Sequence, residues 1–277
     1  SVGASLDAAH GHGSGLRVMV GENSSIWRHD GSWSQDAEIP TTQHLKDVWI
    51  ISETDIWAVG LAGVINHYDG TSWTQFDSPA GVGLEAVWAK SSTEVYAAGA
   101  SGTIIRFDGE SWVVIASETT ANLRDVFGTP GGDIWAVGVG GTIMKKGALA
   151  WGQTVIDPKV YDDGTQEFYV TNLHGIWGAA PDDIWAVGEG GDIFHYDGTS
   201  WTFFEDAAFG ITLRAIYGLA ADDIWAVGSE GHMLHYDGEA WEVWETGSVA
   251  TLYDITGDGA GNVYAVGDIG TVLVLQK

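Results

Sequence analysis

The sequence predicts an all-β fold, a seven-bladed β-propeller formed by one domain over residues 1–277. The first observation is a leucine followed 15 positions later by a glycine, which occurs at Leu6/Gly21, Leu45/Gly60, Leu84/Gly99, Leu123/Gly138, Leu173/Gly188, Leu213/Gly228 and Leu252/Gly267. The second is the spacing of these glycines, which lie 39, 39, 39, 50, 40 and 39 residues apart. A repeat of that length, rich in β-branched and aromatic residues, is typical of a propeller in which each repeat forms one blade. The third is composition, since 40 Gly against 5 Pro fits many tight hairpins and 15 Trp can pack between sheets.

One repeat shows how the blade is built. Residues 45–50, 56–60, 64–68 and 72–76 each form a short run of apolar, β-branched and aromatic residues, separated by turn residues, and we expect four strands. Asp69-Gly70 tolerates the backbone angles of the tight turn before the last strand. The longest link follows this fourth strand, so we assign the first strand to the central channel and the fourth to the rim.

The seventh repeat is shorter than the others. It begins at Leu252 and the sequence ends at Lys277, after the third strand. Only five residues precede Leu6, and five extended residues span at most roughly 18 Å, too little to form a rim strand and cross the blade. We therefore predict a three-stranded last blade whose outer edge along 271–275 is either open or covered by another chain. We expect this edge to be the site of any self-assembly by strand addition.

The charge restricts the partners. Thirty-eight acidic and 11 basic residues give a net charge of -27, which repels nucleic-acid phosphates and anionic lipids, so we expect no nucleic-acid partner. No run of about 18 apolar residues exists, so we expect no membrane insertion. The sequence has no cysteine, which excludes disulfides and thiolate metal sites. The first residues lack a basic start and an apolar run, so we expect that, if there was a secretion signal, it has already been removed.

The turn sequence resembles known propeller families. His-Tyr-Asp-Gly-Thr-Ser-Trp at 67–73 and 195–201 resembles the Asp-box turn of sialidase-type propellers and the repeats of photosystem-assembly propellers. It is also similar to tandem repeats of secreted bacterial propellers. The usual Asp-box has one more residue between Asp and Trp than Asp69 to Trp73 has. The resemblance covers all seven repeats and implies the fold, with no activity attached.

Residues that recur in every repeat indicate architecture. We interpret the recurring tryptophans as blade packing, with a sugar-binding aromatic ladder as the alternative; they are Trp33, Trp57, Trp73, Trp112, Trp135, Trp151, Trp185, Trp201, Trp225 and Trp241. Seven residues after each marker glycine lie Arg28, His67, Arg106, Lys145, His195, His235 and Val274. We expect the six polar side chains to pair with nearby carboxylates, because buried polar groups need partners, rather than to form a metal-binding ring.

A second column changes from blade to blade. One residue after each marker leucine lie Asp7, Lys46, Glu85, Arg124, His174, Arg214 and Tyr253. These positions start the innermost strands, on the face where ligands enter most propellers, so we predict a composite binding site for a polar ligand at the channel mouth. The alternative is a set of unrelated solvated residues that line a water-filled channel.

One insertion interrupts the repeats, near residues 157–168, in a link that spans 22 positions between Trp151 and Leu173. We expect this loop to overhang the channel mouth and to add Tyr161 to the ligand-binding residues. Asp162, Asp163 and Glu167 are weak candidates for calcium, because their spacing does not match an EF-hand loop. We expect no other cofactor.

Enzyme motifs are missing from the sequence. There is no Gly-x-Ser-x-Gly elbow, phosphate loop or His-Glu-x-x-His, and the arginines do not fit a sialidase triad. We therefore predict a non-enzymatic binding or scaffolding protein, extracellular or on the cell surface, that recognises a glycan or a protein at the channel mouth. The alternatives are a carbohydrate-active hydrolase or lyase with its site at the channel, and a cofactor-assembly factor.

Overall fold

A computed structural model of the protein describes residues 4–36, 38–148, 150–154, 156, 159–160, 166–167, 171–204 and 210–276, with backbone alone for 159–160 and 166–167. Twenty-nine strands make up most of these residues. The strands lie where the repeats place apolar and aromatic residues, and turns form at the Asp-Gly and glycine positions between them. Among the described residues, no helix is long and apolar enough to cross a membrane.

The strands follow the chain blade by blade. Blades 1 to 3 contain β1 (Leu6–Gly11), β2 (Arg17–Gly21), β3 (Ile26–His29), β4 (Trp33–Gln35), β5 (Leu45–Ser52), β6 (Asp55–Gly60), β7 (Ile65–Tyr68), β8 (Trp73–Phe76), β9 (Leu84–Ser91), β10 (Glu94–Gly99), β11 (Ile104–Phe107) and β12 (Trp112–Ile115). Blade 4 and the insertion contain β13 (Leu123–Gly128), β14 (Ile134–Gly138), β15 (Thr142–Lys146), β16 (Trp151–Thr154), β17 (Lys159–Val160) and β18 (Gln166–Glu167). Blades 5 to 7 contain β19 (Leu173–Ala180), β20 (Asp183–Gly188), β21 (Ile193–Tyr196), β22 (Trp201–Phe204), β23 (Leu213–Ala220), β24 (Asp223–Gly228), β25 (Met233–Tyr236), β26 (Trp241–Trp244), β27 (Leu252–Gly257), β28 (Val263–Gly267) and β29 (Thr271–Leu275).

Each blade is an antiparallel sheet in which neighbouring strands are also neighbours in sequence. Six sheets have four strands, and the sheet of blade 7 has three, β27-β28-β29. Short 3-10 turns join the second and third strands, at Glu22–Ser24, Leu61–Gly63, Ala100–Gly102, Val139–Gly141, Glu189–Gly191, Ser229–Gly231 and Asp268–Gly270. The prediction of a seven-bladed propeller with a three-stranded last blade is confirmed.

The leucine and glycine of each repeat lie opposite each other on the first two strands. Leu45 pairs with Gly60, and the register then shifts before Asp47. A Cβ on Gly60 would lie 2.1 Å from the carbonyl oxygen of His44, where the chain enters the blade. The backbone of Gly60 is extended, so the glycine is required by this close approach and not by its dihedral angles. The same approach recurs at all seven marker glycines.

Tryptophans fill the space between blades, as predicted. Trp57, Trp135, Trp185 and Trp225 are at most 2% exposed. Trp57 contacts Trp112 of the next blade edge-on, with ring centroids 5.4 Å apart. The rim tryptophans of blades 2 to 5 are also buried, whereas Trp33 of blade 1 is 39% exposed. The core is therefore divided into layers between neighbouring blades.

The ring closes between blade 7 and blade 1 through their inner strands. The backbone N–H of Ala9 donates to Asp254 Oδ2 over 2.8 Å, and that of Gly11 donates to Thr256 Oγ1 over 3.1 Å. The guanidinium of Arg17 donates to the Tyr264 hydroxyl over 2.8 Å. The third strand of blade 7 is the outer one among the described residues, and Val274 on it is 48% exposed.

Candidate functional site at the channel mouth

The varied column lies at a register shift in every blade. In each repeat the pairing of the first two strands skips the residue after the marker leucine. Such shifts re-aim a side chain and are common near functional sites. All seven side chains are half-buried, and all begin an inner strand at the same end of the channel. The structure therefore brings the predicted column together as one ring of residues.

On one side of this ring the polar groups pair with each other. Lys46 Nζ lies 2.8 Å from Asp7 Oδ1, and the other carboxylate oxygen of Asp7 contacts His44 Nε2. The hydroxyl of Tyr253 donates to Asp268 Oδ1 over 2.9 Å. We call Tyr253, Asp7 and Lys46, from blades 7, 1 and 2, the paired arc. Its charges are satisfied within the protein.

On the opposite side three cationic or imidazole side chains lie next to each other. We call Arg124, His174 and Arg214, from blades 4, 5 and 6, the cationic arc. The Nε atoms of both arginines and Nε2 of His174 are buried and have no hydrogen-bond partner among the described residues. His174 Nε2 lies 3.6 Å from Glu189 Oε1, beyond a good hydrogen bond. The Arg214 guanidinium also lies 5.2 Å from the ring centre of Tyr253, which joins the two arcs.

The electrostatics of the cationic arc keep its histidine neutral. Burial lowers the pKa of His174, and the positive charges of Arg214 and Arg124 lower it further, against the opposing effect of Glu189. A neutral imidazole adds no charge to the two guanidiniums. The arc therefore presents two fixed positive charges with N–H groups that can donate to an anion.

Other predicted site residues are placed less fully. Glu85 begins β9 and has no hydrogen bond or ion pair with the part of the chain that the structure describes. Tyr161, Asp162 and Asp163 lie outside the described residues, and so does the side chain of Glu167. The backbone of β17 pairs with β18 and lies against β22, the rim strand of blade 5. The overhang of the channel mouth stays a prediction, and no group of metal-ligating side chains occurs among the described residues.

Three aspartates on the channel wall were missed by the sequence analysis. Asp47, Asp125 and Asp254 follow the varied column by one residue, and each accepts two backbone N–H groups. One N–H belongs to the next residue, and the other to the inner strand of the following blade, as at Val87, which donates to Asp47 over 2.7 Å. Each carboxylate thus joins two blades. The indication in the sequence was an alternation of Asp and small residues at this position.

Burial of these aspartates changes their protonation. It raises the pKa of Asp125 to about 6 and that of Asp254 to about 7. The pKa of Asp47 is also raised, first by burial and then by the negative charge of Asp254. The hydrogen bonds from the backbone oppose this change without cancelling it. All three carboxyls are structural links, and the charges of Asp125 and Asp254 depend on pH near neutrality.

A second group that the sequence analysis missed lies at the other end of the channel. A cavity of about 630 Å³ is lined there by Trp49, Trp88, Phe127 and Trp177 with several glycines. Trp88 lies over Gly128 of the next blade, where a Cβ would be 2.2 Å from its ring. These aromatic residues occupy the same position in their respective repeats. In blade 1 that position is His10, whose ring centre lies 4.1 Å from that of Trp49 in blade 2. Repetition of this position indicates packing of the inner strands.

The polar column on the third strand pairs with carboxylates, as expected. In blades 2 to 6 the partner is the acidic residue at the start of the second strand, as in His67 with Asp55 and His195 with Asp183, both at 2.8 Å. In blade 1 Arg28 pairs instead with Asp36, after the fourth strand. The imidazole also stacks on the tryptophan of the second strand, at 4.1 Å for His67 and Trp57. Asp69, two residues after His67, instead accepts two backbone N–H groups in the turn. In blades 1 to 6 this column therefore contributes ion pairs within each blade.

Comparisons with known proteins identify the fold. No family model matches the sequence, and no curated protein matches it. A structure of YCF48 bound to a D1 peptide is 18% identical with a TM-score of 0.76, over 99% of this chain and 93% of that chain. YCF48 from Cyanidioschyzon merolae is 17% identical with a TM-score of 0.76, over 99% and 96%. A streptogramin B lyase structure is 14% identical with a TM-score of 0.79, over 99% and 94%. At these identities the similarity establishes a seven-bladed propeller and leaves the function to the site.

Proposed function

We propose that this propeller is a non-enzymatic binding or scaffolding protein that recognises a carboxylate-bearing segment of a protein at the channel mouth. The observation that carries this proposal is the cationic arc, in which Arg124 and Arg214 hold buried Nε–H groups without partners among the described residues. A guanidinium donates best to a carboxylate, in a paired geometry that fixes orientation as well as affinity.

The rest of the surface supports selectivity. With a net charge of -27, the protein repels anions at long range. The two guanidiniums at one side of the mouth can therefore bind only a ligand whose negative group contacts them directly. An acidic side chain or a C-terminal carboxylate on an extended segment can reach them, whereas a broad acidic surface cannot.

The structural neighbours agree with this choice of ligand without establishing it. One of them, YCF48, is described with a bound D1 peptide, so a propeller of this shape accommodates a peptide. A glycan remains the alternative ligand, and a hydrolase or lyase acting on polysaccharides remains the alternative function. Both are separate arms of the experiment.

The proposal is tested with a peptide library displayed with free carboxylates and with amidated counterparts. We expect binding of carboxylate peptides that weakens as salt is added, and loss of that binding in the double variant Arg124→Ala/Arg214→Ala. Lys145→Ala is the matched control, because Lys145 lies on the third strand of blade 4, away from the mouth, and is paired with Asp133. Equal binding of amidated peptides, or an unaffected double variant, would remove the cationic arc from consideration. Binding to a glycan array, or product release from a polysaccharide panel, would support the alternatives instead.

We also propose self-association through β29, the outer strand of blade 7 among the described residues. Strand β29 has the sequence Thr-Val-Leu-Val-Leu, with no charged residue and no proline. Charged residues and prolines are what usually protect a sheet edge from pairing with another strand. Val274→Lys would place a charge on this edge. We expect the wild type to dimerise with increasing concentration in sedimentation experiments and this variant to remain monomeric. A wild type that stays monomeric at all concentrations contradicts the proposal.

An extracellular or cell-surface location completes the proposed role. It is supported by the resemblance of the repeats to those of secreted bacterial propellers. Fractionation of cells that express the natural protein tests it, and recovery only from the cytoplasmic fraction would contradict it.

A further inference from the structure

Blade 3 departs from its sister blades at three positions that touch each other. Blades 2, 5 and 6 have an aspartate, a tryptophan and a histidine on the second and third strands, whereas blade 3 has Glu94, Tyr96 and Arg106. Tyr96 and Arg106 are direct partners across β10 and β11, as the Trp and His are elsewhere. Since the repeated set is structural, the coordinated change in one blade requires its own explanation.

The change opens a space between blades 3 and 4. In blade 2, the ring of Trp57 lies 5.5 Å from Phe76 and 5.4 Å from Trp112 of the next blade, which fills the cleft. In blade 3, Ile115 replaces the phenylalanine, and the smaller ring of Tyr96 lies 6.3 Å from Trp151. A cavity of about 260 Å³ occupies this cleft, lined by Tyr96, Ile115 and Trp151 and by three charged residues.

Cations concentrate at this cavity, although the whole chain has only 11 lysines and arginines. Arg106 and Lys146 line it together with Glu94. Lys90 Nζ lies 3.7 Å from Glu94 Oε2, and Arg106 Nε lies 3.9 Å from Glu94 Oε1. Three positive charges therefore surround one carboxylate, and the cleft keeps a local positive charge within an acidic protein.

The carboxylate of Glu94 is kept ionised by its neighbours, and it already accepts a hydrogen bond from Tyr96. Burial opposes its ionisation, but the Tyr96 hydroxyl and the charges of Lys90, Arg106 and Lys146 hold the pKa of Glu94 below its usual value. Tyr96 donates to Glu94 Oε1 over 2.8 Å, and burial together with this bond raises the pKa of Tyr96 to about 12. Glu94 can satisfy only part of the donors around it, because a guanidinium alone carries five N–H groups.

We propose that the cleft between blades 3 and 4 binds a small organic oxyanion, a phosphate or carboxylate, through Arg106 and Lys146. The aromatic rings of Tyr96 and Trp151 and the aliphatic Ile115 would contact the organic part. The proposed site lies on the second to fourth strands of blade 3 and the third and fourth strands of blade 4, whereas the cationic arc lies on first strands. The inference is therefore independent of the function proposed for the channel mouth.

Phenyl phosphate is a suitable probe, with phenol as the neutral control and inorganic phosphate as the anion alone. By calorimetry we expect one saturable site for phenyl phosphate that weakens with added sodium chloride, and no binding of phenol. Arg106→Ala and Lys146→Ala should each weaken binding about tenfold or more, since charge-assisted hydrogen bonds have that magnitude. Lys145→Ala is the matched control, because Lys145 is paired with Asp133 at 2.8 Å and should leave binding unchanged.

Two further variants make the test specific to this cleft. Glu94→Gln removes the internal competitor and should tighten phenyl phosphate binding. The triple variant Glu94→Asp/Tyr96→Trp/Arg106→His restores the residues of the sister blades, and should fold and no longer bind. Absence of binding by the wild type, unaffected single variants, or wild-type affinity in the folded triple variant would each overturn the proposal. Arg124→Ala/Arg214→Ala should keep this binding, which separates its failure from that of the proposed function.

Discussion

The middle strands and the channel mouth differ in how they use the same repeat. In blades 2, 5 and 6 an aspartate, a tryptophan and a histidine recur with nearly the same contacts, whereas the residue after each marker leucine differs in most blades. In the repeated set each histidine pairs with its aspartate, and the tryptophans fill the space between blades. The varied set leaves Arg124, His174 and Arg214 with buried nitrogen atoms that have no partner among the described residues. Repetition within one chain thus separates residues that maintain the fold from residues that we propose to bind a ligand.

The largest effect on stability should come from the repeated layer. Trp185 is 2% exposed, donates to Asp183 over 2.8 Å and contacts Trp241 of the next blade. Trp185→Ala should lower the free energy of unfolding by about 3 to 5 kcal/mol, because it leaves a cavity between two blades. Denaturant unfolding measures this, with the exposed Trp33→Ala as control. Equal losses in the two variants would break the distinction between packed and exposed tryptophans.

An intermediate effect is expected at the channel wall. Asp254→Ala removes the acceptor of the Ala9 and Ile255 N–H groups, so both donors lose their partner. The expected loss of unfolding free energy is on the order of 2 kcal/mol. Asp47→Ala removes an equivalent link between blades 2 and 3, and we expect a similar loss. If neither variant is destabilised, the carboxylates do not join the blades as their geometry indicates.

The pH dependence of the same residue gives a smaller effect of defined sign. Burial raises the pKa of Asp254 from 3.8 to about 7, so the folded state holds a proton that the unfolded state releases. The stability from this proton is fully present below pH 3.8 and is lost as the pH rises through 7. The advantage of the wild type over Asp254→Asn should therefore shrink between pH 6 and 8 by roughly 1 to 2 kcal/mol, since one pKa unit corresponds to about 1.4 kcal/mol.

Unfolding curves of both proteins across this range test the sign. Burial and the charge of His12 lower the pKa of His10 to about 3, so His10 destabilises the folded state as the pH falls. Since this contribution is the same in the wild type and the variant, the difference between their unfolding free energies does not contain it. An advantage that grows with pH would show that the hydrogen bonds to Asp254 outweigh its burial.

The smallest effect on stability is expected at the mouth. Arg124→Ala with Arg214→Ala should change the unfolding free energy by only about 0.5 kcal/mol per residue, because both side chains are half-buried and their Nε atoms make no hydrogen bond with the described residues. Thermal unfolding measures this alongside the peptide binding described above. A large loss of stability would place the cationic arc with the structural layer and weaken the comparison.

The fold could be predicted from sequence because its causes are local and repeated. The glycine at each marker position, the packed tryptophans and the missing fourth strand of blade 7 were all visible as intervals and compositions. The channel aspartates could not be interpreted in the same way. Asp254 bonds to a backbone group of another blade, and a backbone N–H has no residue type that reveals it in a sequence.

The cleft of blade 3 was visible in part. Arg106 stands in the polar column of the third strand, where it looks like one more pairing residue. Only the structure shows that Tyr96 and Ile115 fill less space than their counterparts, so that the change leaves a cavity. The volume of a cavity depends on several side chains together, so comparing one position at a time across the repeats does not predict it.

The contact between Asp254 and Ala9 also bears on the order of folding. These residues are 245 positions apart in sequence, so their bond closes nearly the whole chain into a loop. Each blade forms from contacts within about 40 residues, whereas this junction has to wait until every blade between is in place. We expect an open arc of formed blades as the last folding intermediate, with the inner strands of blades 1 and 7 exposed. Two such arcs that meet before they close would exchange ends, so rapid refolding at high concentration should produce interlinked dimers.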